Sequence, residues 1–154
     1  MSTGAEEANQ EGMLAFAARH FGSLSQQTTD FLCLETVGSP ELVLIEGEGF
    51  LRMRDYPGAT KELVQACARK ANVHLRRGLR LTFATDNLIP LRRGYPAASI
   101  GYVNEYLVPS NYHKPTDTPE NVNFDSVADA TRLSYAVAEE LASSNALSPS
   151  SRSQ

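Results

Sequence analysis

The sequence has no tryptophan, two cysteines and no long apolar run. Each shortage removes a class of protein. No stretch approaches the roughly 18 apolar residues that a membrane-spanning helix needs. No basic segment followed by an apolar one opens the chain, so a secretory signal is not legible; the compartment stays unassigned. Lys/Arg runs interleaved with aromatics are missing too. With a net charge of −4 this argues against nucleic-acid binding. The densest basic group, Lys70 to Arg80, is broken by apolar residues and reads as a solvated helix end and turn. Cys33 and Cys67 each lie in an apolar segment without metal-type spacing, which makes them core thiols, with a disulfide the lesser alternative.

What remains is a chain of 154 residues, 42% hydrophobic and 21% charged, enough for one globular domain. Gly12 to Phe21 reads as a helix with Met13, Phe16, Ala17 and His20 on one face, stopped by Gly22. Asp30 to Val37 is nearly continuous apolar, as in a strand buried on both faces, and Glu35 interrupts it near its carboxyl end. A carboxylate there is costly unless paired or metal-bound. Glu41 to Ile45 reads as a second strand, closed by Glu46-Gly47-Glu48-Gly49. After a turn at Asp55-Tyr56-Pro57-Gly58, Thr60 is a candidate N-cap for a helix from Lys61 to about Val73. Leu79 to Thr85 and Ala97 to Val103 read as strands, and Asp125 or Ser126 caps a helix to about Ala142. Residues 143–154 form a Ser-rich tail expected to be disordered. Strand and helix alternate, which predicts an α/β fold: three layers, a largely parallel (mixed) sheet with helices on both faces.

The most constrained stretch is the loop from Pro109 to Val122. Pro109, Pro115 and Pro119 remove backbone donors and fix φ around the Tyr112-His113 pair. With Glu6-Glu7, Glu35 and Asp86 it makes four polar features, placed by this reading at the carboxyl edge of the sheet, where α/β proteins build their sites. Imidazole and carboxylate are zinc donors when thiolates are absent. Paired glutamates let one ligate while its neighbour takes a proton. A tyrosine hydroxyl can donate to an oxyanion. Ordinary explanations stand beside these: an exposed helix start for Glu6-Glu7, an ion pair for Glu35, a helix cap for Asp86, and surface or packing positions for His20 and His74.

Four ordered motifs carry a resemblance. Thr3-Gly4-Ala5-Glu6-Glu7 before Gly12-Met13-Leu14-Ala15-Phe16, Leu34-Glu35-Thr36-Val37-Gly38-Ser39, Thr85-Asp86-Asn87 through Gly94-Tyr95-Pro96-Ala97, and Tyr112-His113 with Asp117-Thr118 and Glu120-Asn121-Val122 resemble the di-zinc aminopeptidases. That family includes secreted bacterial aminopeptidases, glutamate carboxypeptidase and glutaminyl cyclase. The likeness spans about residues 2 to 142 and is to the C-terminal part of the family's domain. It implies a zinc-exopeptidase-like fold without its N-terminal strands, a peptide substrate and a two-zinc site. Carried over by position, Glu6 is the general base and Tyr112 the oxyanion donor. Glu7 and His113 are ligands to one zinc and Glu35 to the other, with Asp86 and Asp117 supporting them. Mn²⁺ or Co²⁺ would suit the same donors.

Two departures bear on activity. Glu35 stands where the family usually has Asp, and no His-x-Asp occurs anywhere in the chain. The resemblance therefore implies a fragment, inactive alone, whose open sheet edge promotes self-association. The alternative is a binding or interaction module that keeps the fold without catalysis.

Overall fold

The structure is a computed structural model that describes residues 1 and 3–146. Its elements in chain order are α1 (Glu11–His20), β1 (Phe31–Leu34), β2 (Glu41–Glu48), β3 (Arg54–Asp55), α2 (Gly58–Lys70), β4 (Arg76–Leu81), α3 (Leu88–Arg92), β5 (Ala97–Val103), a 3₁₀ turn (Pro119–Asn121) and α4 (Phe124–Ala146).

β5 is the strand the sequence reading places without error, and it is buried along its whole length. Alternation divides its side chains between two faces. Ala98, Ile100 and Tyr102 join Leu42 and Leu44 of β2 against Val64 and Ala68 of α2 and Leu133 of α4. On the other face Ala97 and Ile45 meet Tyr56 and Leu91, while Met13 and Ala17 of α1 pack on Ile89 of α3. The molecule is thus an α/β sandwich of three layers.

The sheet is mixed rather than largely parallel. β5 lies between β1, to which it is parallel, and β2, to which it is antiparallel; β2 pairs parallel with β4 and antiparallel with the short β3. β1 is an edge strand of four half-buried or exposed residues, not one covered on both faces. Its apolar run reads as buried because Phe31 and Leu32 do pack inward, on separate clusters.

Other boundaries move for local reasons. β2 continues three residues past Ile45, because Glu46 finds cations at the surface and Gly47 admits the close approach of Arg54 and Asp55. The basic stretch begins as the expected end of α2 and a turn, but from Arg76 it is strand β4, which starts three residues before Leu79 and ends at Leu81 rather than Thr85: Arg77 pairs with Glu46 and Glu62, and Arg76 with Glu41. Arg77, and after it Lys61, hold the Glu46 carboxyl at about 2 against the opposing effect of burial. α2 starts at Gly58 because Pro57 (φ −56°) leads into it and accepts the Lys61 N–H at 3.1 Å, leaving Thr60 inside the first turn. Asn123, two residues before the nearer of the expected caps, caps α4: its Oδ1 accepts the Ser126 N–H at 3.0 Å, and Ser126 Oγ returns a bond to the Asn123 carbonyl at 2.8 Å. α4 runs through Ala146, into the tail; residues 147–154 lie outside the described residues.

Candidate active site

The segment before α1 forms two tight turns without a strand. Ala5, Asn9 and Gln10 all have left-handed φ near 60°. Gly12 is what lets this segment lie on the helix, since a Cβ there would collide with the backbone of Gly4. Gly12→Ala is therefore expected to displace residues 3–7 while α1 stays folded. In a ¹⁵N–¹H spectrum the Glu7 and His113 resonances should move and those around Leu133 should not; an unchanged Glu7 would refute this seating.

Displacement of that kind matters because Glu7 reaches across the chain to His113. Its Oε1 lies 2.7 Å from His113 Nε2, and both side chains are mostly exposed. Tyr112 stacks on the same imidazole, with ring centroids 3.8 Å apart and planes 18° from parallel. The loop presenting the two rings is held by many short bonds. Ser110 N–H donates to Ser39 Oγ at 2.8 Å, Thr116 Oγ1 to Asn111 Oδ1 at 2.8 Å, and Asn123 N–H to the Gly38 carbonyl at 2.8 Å. Thr36, Leu107, Asn111 and His113 also take left-handed backbone. Of the eight described non-glycine residues with positive φ, only Asn72 is away from this site. Such clusters of strained backbone are typical of functional surfaces.

Glu6 and Glu35 sit between two hollows. One is an open groove of about 900 Å³ lined by Glu6, Glu7, Glu35, Tyr112 and Asp117 together with Leu81, Phe83 and Leu107. The other, of about 750 Å³ beside the β1 edge, is lined by Thr3, Glu6, Cys33, Glu35 and Asp86. Burial raises the Glu6 pKa, and the neighbouring charges of Glu7 and Asp86 add to it against the pull of His113. Burial likewise pushes Glu35 up to about 7, helped by Glu6, Asp86 and Glu48 and opposed by the Cys33 thiol, which donates to Glu35 Oε1 at 3.4 Å. The Tyr112 hydroxyl is also raised, by burial and then by Glu7 and Glu6, so it stays protonated and able to donate.

Asp86 arrives from an unexpected direction. β4 runs opposite to β1 and β5, so its carboxyl end lies at the far end of the sheet from Glu35. The turn after β4 carries Asp86 to the group over the sheet face, where the carboxylate is buried and accepts the Thr3 hydroxyl at Oδ2, leaving Oδ1 without a partner among the described residues. Asp117 shares the groove with Tyr112, and its N–H donates to the Lys114 carbonyl at 3.0 Å. The structure thus joins Glu7, Tyr112 and His113 in direct contact and sets Glu6, Glu35 and Asp86 within electrostatic reach of one another. Sequence reasoning missed the layer beneath, in which Glu48, Tyr56, Thr85, Asn87 and Ser99 form one buried hydrogen-bonded cluster. No local pattern marks this continuation, because register irregularities after Val43 turn Glu48 to the Ile45–Tyr56 face, away from Leu42 and Leu44.

The sequence model of Peptidase family M28 matches residues 1–138. The chain belongs to this family. No curated protein matches it. Two solved structures of BSAP, a zinc aminopeptidase from Bacillus subtilis, superpose with TM-scores of 0.63 and 0.65 at 22% and 21% identity. Each alignment takes in 90% of this chain and 34% of the aminopeptidase, so the chain spans about a third of the relative's length. The M28 family implies zinc and peptide substrates. Unpaired Asp86 Oδ1 and the crowded carboxylates are the chemistry a cation would relieve, but the donors do not converge: among the described residues no three His, Cys, Asp or Glu side chains could hold a metal ion. Glu7 and His113 bond to each other, and Glu35 bonds to a thiol. The zinc of the M28 family is not accommodated by these donors alone. No helix among the described residues is long and apolar enough to cross a membrane.

Proposed function

We propose that this chain supplies the proton-handling and substrate-facing wall of an M28 metallopeptidase site, of aminopeptidase type, and that it does not hold a metal pair or hydrolyse peptides by itself. One observation carries this reading: Glu7, His113 and Tyr112 meet at one point, beside a Glu6 whose proton affinity is raised, with no third donor at that point among the described residues. Glu6 takes a proton from the attacking water and returns it to the leaving amine. Tyr112 donates its hydroxyl to the developing oxyanion. Glu7 and His113 are metal donors that need others, from outside these 154 residues, to close a site. A site this poor in ligands also suits a non-catalytic binding module, and one experiment separates the two.

The purified chain is incubated with Zn²⁺, exchanged into metal-free buffer, and examined for zinc content and for hydrolysis of aminoacyl substrates. Far less than one zinc per chain and no hydrolysis are expected, with weak residual binding lost in His113→Ala and Glu7→Gln. Residual binding indifferent to both substitutions favours the module. Two firmly held zinc ions, with hydrolysis abolished by Glu6→Gln, would overturn the proposal.

A further inference from the structure

We infer that Glu48 is a positioning residue: the buried carboxylate at the end of β2 fixes the Thr85–Asn87 turn and, through it, the segment that carries Glu6 and Glu7.

Glu48 is fully buried and, among the described residues, forms no ion pair. Three donors converge on it instead. The Thr85 N–H donates to Oε2 at 2.6 Å, Thr85 Oγ1 to Oε1 at 3.2 Å, and the Tyr56 hydroxyl to Oε1. Behind them the bonds run in one direction. Asn87 Nδ2 donates to Ser99 Oγ at 3.2 Å and to the Ala98 carbonyl at 2.7 Å, and Ser99 lies 2.7 Å from the Tyr56 oxygen. The Tyr56 and Thr85 protons point toward the carboxylate, while Asn87 ties the same turn to β5 through the Ala98 carbonyl. A buried carboxylate costs several kcal/mol relative to apolar packing, so stability alone does not account for a glutamate at this place. What it provides is a fixed seat for a turn that lies outside the strand ladder.

The turn in turn holds the start of the chain at two points. Gln10 Nε2 donates to the Thr85 carbonyl, and the Thr3 hydroxyl donates to Asp86 Oδ2. Gln10 is also where α1 begins: it passes its own carbonyl to the Leu14 N–H at 2.9 Å and donates its N–H to the Glu6 carbonyl at 2.8 Å. A single path of bonds therefore runs from Glu48 through Thr85 and Gln10 to Glu6. The inference rests on the proposed reading only for the roles of Glu6 and Glu7; the path itself does not depend on them.

Amide hydrogen exchange on the 154-residue chain tests it without any assay of hydrolysis. Glu48→Gln keeps shape but turns an amide NH₂ toward one of the three donors. The Thr85, Gln10 and Glu11 amides are expected to exchange about tenfold faster, with β5 and α4 amides within about twofold of wild type. Gln10→Ala cuts the path at its far end. It is expected to speed Gln10 and Glu11 about as much while Thr85 keeps its protection. Equal acceleration of β5 and the Gln10 region in Glu48→Gln would mean a purely structural role and overturn the proposal. So would unchanged Gln10 and Glu11 exchange in Gln10→Ala, a reading that survives even if Glu48→Gln does not fold.

Discussion

Glu35→Gln is expected to make the metal-free chain more stable at pH 8, by about 1–2 kcal/mol, and to leave it unchanged near pH 4. The folded protein holds Glu35 at about 7 against an ordinary value of 4.5. Between those values the native state binds more protons than the unfolded chain, so stability falls as pH rises. The contribution is whole below 4.5 and gone above 7, where the carboxylate must be charged beside Glu6 and Asp86. The full linkage value would be about 3 kcal/mol; Glu35 is only half-buried, and screening by water reduces it. Urea unfolding at several pH values reads the effect. Wild-type and variant midpoints that run parallel from pH 4 to 8 would show that the carboxylate is not the source of the slope.

The other large effect lies in the core, away from the chemistry. Leu133 on α4 is fully buried against Leu44, Val64 and Ile100, at the centre of the layer formed by α2 and α4. Leu133→Ala removes three carbons from a close-packed site and is expected to cost about 3 kcal/mol, from transfer and cavity terms together. For a domain whose total stability is of order 5–15 kcal/mol, that is a large fraction. The Glu7–His113 contact is on the opposite side of the sheet and should survive, with unaltered His113 resonances below the unfolding transition. A loss under 1 kcal/mol in equilibrium unfolding would mean that α4 closes over the gap and is less tightly seated than its burial implies.

The parts of the fold that were legible in the sequence are those with a strong local signature. β5 is apolar apart from Ser99 and flanked by Pro96 and Asn104, so its limits coincide with its composition. α1 shows its stripe, and the proline-bounded loop announces a fixed Tyr112-His113 pair. The larger failures are places where a distant partner decides. The start of β4 looks like a solvated turn because Arg76 and Arg77 are neutralised by Glu41, Glu46 and Glu62, none of them adjacent in sequence. Glu48 looks like part of a glycine-rich turn because its donors come from residues 56 and 85. The direction of β4, and hence the route by which Asp86 enters the site, follows from strand pairing that no single segment encodes. Motif order found the family; only pairing and burial located the groups that hold those motifs still.

The left-handed residues around the groove have a practical meaning for anyone adapting this protein to heat. Each non-glycine residue there forfeits on the order of 1 kcal/mol of backbone energy; those with no side-chain amide, carboxylate or imidazole to offset it forfeit most, Leu107 and, next to the glutamates, the pair Ala5 and Thr36. By the usual rules of thermostabilisation, glycine at those two positions is among the easiest improvements available. Both flank glutamates, Glu6 and Glu35, whose placement depends on that same backbone. Heat resistance gained there would be drawn from the definition of the groove, so a stabilising library should leave positions 5 and 36 alone and work on the α2–α4 face.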